Sequence, residues 1–430
     1  MEDELLEEEF KPIWLDGTRV NEVLFAEDFL STHQMKCIRG KLFTVDGVVD
    51  DIDRIRKEIF DMLSPYISTG LPQRASRLLE TIKLCCFSEP LPRDEGVIHL
   101  ANGTYHLASG FSEEKVFCTN RLAVPYDADA PKPERWLSFL SELLDEEDIP
   151  TLQEYMGYML IPLTRAQRMM MLIGRGGEGK SRIGLVLRAI FGDNMNTSTL
   201  HKIENSRFAR ADLEFKLVML DDDLPMSALP ETNNVKSLVT NEDKTDIERK
   251  GEQSVQRDIY ARFICFGNGA LKARNDSSYA FYRRQMIIKV KPRPRERVDD
   301  PFLADKLKSE APGILLWAIE GLHRLVGNEF HFTESEQAIW NREQALASGD
   351  SIMSFMTSEM VEYDSEAKVT TVDLYRAYER WCHGWSISPM SCTSFSTELG
   401  KRTAELQIDK ENHVNQTQRG FRGIALRSAE

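Results

Sequence analysis

The sequence predicts an α/β protein built around a parallel sheet, and three observations predict it. Residues 169–192 read as strand, glycine-rich loop and helix in direct succession. Two further apolar runs, Leu217–Leu220 and Arg262–Phe266, are short and do not alternate with polar residues, as expected of strands buried on both faces. Each of them ends in polar groups suited to chemistry: Asp221, Asp222 and Asp223 after the first, Gly267 and Asn268 after the second.

With 430 residues, 41% of them hydrophobic and 29% charged, the chain has the composition of a soluble protein of two or three domains. No apolar run approaches the ~20 residues that span a bilayer, and the N-terminus, MEDELLEEEF, is acidic where a signal peptide is basic. A cytoplasmic protein without a membrane partner is the expectation. Seven cysteines without a C-x-x-C pair argue against both a disulfide framework and a zinc ribbon. A net charge of −15 counts against a generally basic nucleic-acid surface, unless cations line an interior channel while acids cover the outside.

Residues 1–150 read as a mixed α/β accessory domain. Val23, Phe25, Phe29 and Leu30 suggest a helix, KLFTVDGVVD a strand, Asp-Gly turn and strand, and VIHLANGTYHLASG a hairpin around Asn102-Gly103. A Pro-rich segment, Pro125–Pro133, then leads to a helix with Trp136, Phe139, Leu140, Leu143 and Leu144 on one face. The core is placed at 151–325, a polar linker at 326–350 and a C-terminal domain at 351–430.

Within the core, Met169–Ile173 is the buried strand and Gly174, Gly176, Gly177 and Gly179 make a loop with little side-chain bulk. Together with Lys180 and Ser181 they complete GxxxxGK[ST], a P-loop, whose backbone N–H groups reach phosphate oxygens only where few Cβ atoms intervene. Gly174, Gly176, Gly177, Glu178, Gly179, Lys180, Ser181 and Arg182 are therefore the expected ATP contacts. Lys180 would reach the β/γ-phosphates and Ser181 would hold Mg²⁺. Ile183, Val186, Leu187 and Ile190 continue as one helical face and Gly192 marks its stop, so a helix N-terminus points at the phosphates. Asp221 is the expected second Mg²⁺ contact and Asp222 the group that orients water. Asn268 can hydrogen-bond that water or the γ-phosphate, and Arg283 or Arg284 suits stabilisation of phosphoryl-transfer charge.

This order of motifs resembles superfamily 3 helicases, a subgroup of AAA+ proteins. More closely, it resembles the helicase half of the primase-helicases of satellite phages, plasmids and poxviruses. The resemblance runs from PYDADAPKPERWLSFLSELL and LQEYMGYML through GRGGEGKS, LVMLDDD, FICFGN and FYRRQ to APGILLWAIEGLHRL, VTTVDLYRAYERWCHGW and GFRGIAL. It implies an AAA+ core preceded, from about residue 90, by a domain like the one that leads into the helicase in that family, and followed by a winged-helix-like module at 351–430. It also implies a homo-oligomeric ring, a hexamer, in which Arg283 or Arg284 reaches a neighbour's nucleotide. A DNA-contacting hairpin between the second and third core strands is implied as well, with Lys250 at its tip and Lys236 assisting. In the winged helix, Ser391–Lys401 would be the recognition helix, with Lys401 and Arg402 near phosphate. The family's acid pair is often Asp-Glu where this chain has Asp221-Asp222, and Thr240–Asp243 replaces a stretch that is commonly glycine-rich. The expected activity is ATP-driven unwinding of single-stranded or forked DNA in replication of a phage, plasmid or integrated element. An AAA+ switch or loader acting on a partner protein is the rival reading. Residues 1–90 carry neither a zinc-binding cysteine set nor a carboxylate cluster, so a primase-helicase with residual priming is the lesser rival, and a separate primase a conceivable partner.

Overall fold

The structure is a computed structural model that describes residues 11–427 apart from 225–228, 230, 272–278, 295, 297 and 415–417. The acidic stretch 1–10 lies outside these. Five parallel strands form the central sheet, in the spatial order Met195–Thr197, Val218–Leu224, Arg262–Gly267, Met169–Ile173 and Gln285–Lys289. The MMMLI run is buried throughout because both faces of the sheet are covered. Met169, Met171 and Ile173 point to one side with Met219, Phe263 and Ile287. Met170 and Leu172 point to the other with Leu220, Phe266 and Ile288. This is the period-two alternation of a strand, read out in three dimensions.

The second of these faces is covered by helices Ile149–Tyr158, Lys180–Phe191 and Ala311–Gly327. Two glycines let the first and third of them approach closely. A Cβ on Gly157 would lie 2.4 Å from the Ala318 carbonyl oxygen, and one on Gly321 would lie 2.5 Å from that of Gln153. Helices Leu200–Asn205, Asn233–Thr240 and Glu336–Gly349 lie on the opposite face. The last of these falls within the segment expected as a linker. It is capped by Ser335, which accepts from the Ala338 N–H at 3.0 Å, and Asn341 donates to the Ile287 carbonyl at 3.0 Å. Its buried positions are mostly alanine, so it presents little apolar periodicity to a reader of the sequence.

Residues 14–86 pack around their own apolar cluster, which includes Trp14, Phe25, Phe29, Ile59 and Leu79. Three helices build it, Glu22–Thr32, Ile52–Leu63 and Leu71–Cys85, the first two capped by Asn21 and Asp51. Both expected hairpins are present: Lys41–Thr44 pairs with Gly47–Val48, and Val97–Leu100 with Gly103–His106. At the C-terminal end, strands Val361–Thr370, Gly420–Leu426 and Asp409–Glu411 form an antiparallel sheet beside helices Thr371–Gly384 and Cys392–Lys401. Ser391 caps the latter, accepting from the Ser394 N–H at 3.2 Å. Lys401 is paired with Glu398, and Arg402 is held by Asp350 at the end of the Glu336–Gly349 helix. Among the described residues no helix is long and apolar enough to cross a membrane.

Candidate active site

The carboxyl ends of the sheet strands open into a cleft of about 880 Å³, where ligands of open α/β sheets generally bind. Its floor is the glycine-rich loop. Gly176, Gly177 and Gly179 have φ of 103°, 81° and 120°, values that favour glycine. Lys180 opens the Lys180–Phe191 helix and is 8% exposed. Gly174 is needed for space rather than conformation, since a Cβ there would meet Val290 Cγ2 at 2.4 Å and Glu178 Oε1 at 2.8 Å.

Glu178 turns inward and is only 3% exposed. Its carboxylate accepts from the Gly176 N–H at 2.8 and 3.0 Å, from the Arg175 N–H, and from Lys180 Nζ at 2.8 Å. Burial pushes its pKa up, but the bonds from Lys180 and the loop amides outweigh this and hold it below the ordinary glutamate value. Ser181 and Arg182 also line the cleft.

The acids differ from expectation. The strand that delivers them continues to Leu224, so Asp221 lies inside the strand rather than at its end, and it is fully buried. Its carboxylate faces away from the cleft, accepting from the Leu200 N–H at 2.9 Å and the Asp223 N–H at 3.4 Å. Burial raises its pKa above the usual aspartate value, against the pull of those two amides. The pairing with the Arg262–Gly267 strand slips between Asp221 and Leu224, and Asp222 and Asp223 both line the cleft. The carboxylates that meet the loop are thus Asp222 and Asp223, with Asp221 a bracing group behind them.

Asn268 follows the Arg262–Gly267 strand and faces the loop, its Oδ1 4.0 Å from where a Cβ on Gly176 would stand. Arg283 and Arg284 are at the opposite end of the sheet. They precede the Gln285–Lys289 strand, the Arg284 carbonyl accepts from the Met169 N–H at 2.8 Å, and that strand runs parallel to Met169–Ile173. Five residues at roughly 3.3 Å each separate them from the loop, too far for a side chain of the same molecule. Arg283 is exposed, whereas Arg284 is half-buried and donates to the Ala280 carbonyl.

Lys250 is exposed on the seven-residue turn between strands Thr245–Ile247 and Val255–Arg257, and Lys236 is half-buried on the Asn233–Thr240 helix. This hairpin is tied to Glu214, which is 1% exposed, through both its turn and its second strand. Glu214 pairs with Arg249 and with Arg257 at 3.3 Å, and also with Arg39 of the N-terminal region at 3.1 Å. Arg293, Asp299 and Asp300 were not foreseen. They come from the segment after the last core strand and close the cleft, with Arg293 2.9 Å from Asp299. The charge density of KPRPRERVDDP was the available signal.

The fold and site together define an α/β protein with a glycine-rich strand–loop–helix facing a pair of acids across a cleft. Residues 172–284, which contain the loop, both acids, Asn268 and Arg283, match the model of a family of unknown function, DUF5906. In overall structure the chain is similar to the C-terminal region of NrS-1. Two structures of its A form in the apo state give TM-scores of 0.52 and 0.54 at 12% and 13% identity, and a further apo structure gives 0.53 at 12%. Each comparison covers 94% of this chain and 99–100% of the other. At such identity the likeness is one of fold. No curated protein matches the sequence.

Proposed function

We propose that the chain is an ATP hydrolase that assembles as a ring and drives strand separation in DNA replication. The observation that carries this reading is the buried Lys180 at the start of its helix, with the glycine loop before it and Asp222, Asp223 and Asn268 across the cleft. The residues fit a magnesium nucleotide: positive-φ glycines provide an amide cradle, Lys180 a cation, and Ser181 and Asp222 the oxygen donors that magnesium takes alongside phosphate. Magnesium, when bound, neutralises charge developing on the phosphates.

In this reading the loop amides and Lys180 bind and orient the triphosphate. Asp223 and Asn268 hold the attacking water, Asp223 as acceptor and Asn268 through its amide. Arg283 acts on the site of the adjacent subunit, since it cannot reach its own; its exposure makes it a better candidate than Arg284. The Lys250 turn contacts the DNA backbone, and its anchorage through Glu214 gives a path between the nucleotide-bearing core and the N-terminal region. The fold likeness to the NrS-1 C-terminal region supports a whole-chain arrangement of this kind.

The test is unwinding of forked DNA by the purified full chain with ATP and magnesium. Strand separation that disappears in Lys180→Ala supports the proposal. A protein that hydrolyses ATP but neither binds nor separates DNA overturns it in favour of a switch acting on a partner protein.

A further inference from the structure

Glu178 is the one group in the loop whose charge opposes the ligand proposed for it, and it is pointed into the loop rather than out to solvent. Its carboxylate occupies donors of the kind a phosphate would take: the N–H groups of Arg175 and Gly176 and the ammonium of Lys180. A carboxylate and a phosphate share the same recognition chemistry, oxygen anions accepting from a nest of amides and a lysine. With Glu178 inside, the nest is filled by a side chain of its own loop.

We infer that Glu178 is a resident anion that gates the site: a nucleotide enters only by displacing the carboxylate from Lys180. This rests on the nucleotide reading above. Two features make displacement practicable. The tether is short and hinged, because Gly177 and Gly179 flank Glu178 with φ of 81° and 120°. Beyond it lies the open cleft, into which the side chain can rotate. Leaving the carboxylate in place would set it beside the incoming phosphates as a like charge, which disfavours simultaneous occupancy. The gate therefore lowers nucleotide affinity while stabilising the empty loop.

Replacing a merely structural glutamate would leave nucleotide affinity unchanged or weaken it, the opposite of what a gate gives, and this makes the inference testable. Binding of magnesium·ADP and magnesium·ATP to the full chain is measured by calorimetry for wild type and Glu178→Gln, with thermal melting of each protein in the absence of nucleotide. Glutamine has the same shape and can still accept from Gly176, but carries no charge to hold Lys180 or repel phosphate. Removing one charged hydrogen bond that competes with the ligand should tighten binding by roughly ten- to a hundredfold. The nucleotide-free protein should melt at an unchanged or lower temperature. Glu178→Asn provides the same comparison should the first variant fold poorly. Affinity that is unchanged or weaker in the neutral variants overturns the gate alone. Absence of binding by wild type and variants alike overturns the nucleotide reading and the gate with it.

Discussion

The two adjacent aspartates, Asp221 and Asp222, should respond to substitution in opposite ways. Asp221 is fully buried and satisfies the Leu200 N–H at 2.9 Å. Asp221→Ala strands that donor in the interior, at a cost of about 1–3 kcal/mol. Asp221→Asn keeps an acceptor oxygen in the same place and removes a charge that burial already disfavours, so it should cost less than about 1 kcal/mol. Asp222 is exposed at the cleft. Asp222→Asn should leave stability within about 0.5 kcal/mol, as is usual for surface changes, and lower ATP turnover at least ~10²-fold. Urea unfolding reports the first quantity and phosphate release the second. Loss of turnover in a stable Asp221→Asn protein, beside normal turnover in Asp222→Asn, would refute this division between the two acids.

Other consequences follow from buried charge and from the hairpin. His99 sits in the Val97–Leu100 strand with no partner for Nδ1, and burial, aided by Arg121, pushes its pKa down to about 4 from an ordinary 6.5. The unfolded chain therefore binds the extra proton first, and the stability due to neutral His99 is complete above pH 6.5 and lost as the pH falls toward 4. The loss approaches about 3 kcal/mol and should vanish from the pH–stability profile of His99→Gln. A profile unaltered by the substitution would contradict the assignment. Glu154 is fully buried and bonded to Arg324 at 2.6 Å and to the Thr333 N–H at 2.7 Å. Arg324→Ala leaves the carboxylate without its cation and should cost about 2–3 kcal/mol in urea unfolding, less than a wholly buried pair because Arg324 is partly exposed. Lys250→Ala should remove stimulation of ATP turnover by single-stranded DNA and leave the rate without DNA unchanged; equal stimulation in both proteins would remove the hairpin from the DNA contact.

Much of the core was legible because local pattern and tertiary setting agree there. The MMMLI run is a strand buried on both faces, Gly176, Gly177 and Gly179 after it occupy positive-φ positions, and Ile183, Val186, Leu187 and Ile190 bury one face of the next helix. The Asp-Gly hairpin near residue 46 was legible for the same reason. What escaped notice depends on where a strand stops and which way one side chain turns. Asp221 lies behind the cleft and Asp222 and Asp223 in it because the strand runs on to Leu224 and its pairing slips, which apolar periodicity cannot reveal. The helix at 336–349 reads as linker in sequence because alanines bury a face without hydrophobic bulk. Glu178 reads in sequence as one more phosphate-loop position and Glu214 as an ordinary surface acid, yet each is buried by partners, Lys180 in one case and three arginines from two distant segments in the other.

In the proposed ring, nucleotide turns over at a seam between neighbouring copies, with Lys180 from one and Arg283 from the next. Mixing two inactive proteins, Lys180→Ala and Arg283→Ala, tests this directly through phosphate release. The first retains an intact Arg283 and the second an intact loop, so mixed assemblies contain some complete sites, and turnover should reappear at a fraction of the wild-type rate. Mixtures as inactive as their components, beside an active wild type, would contradict it.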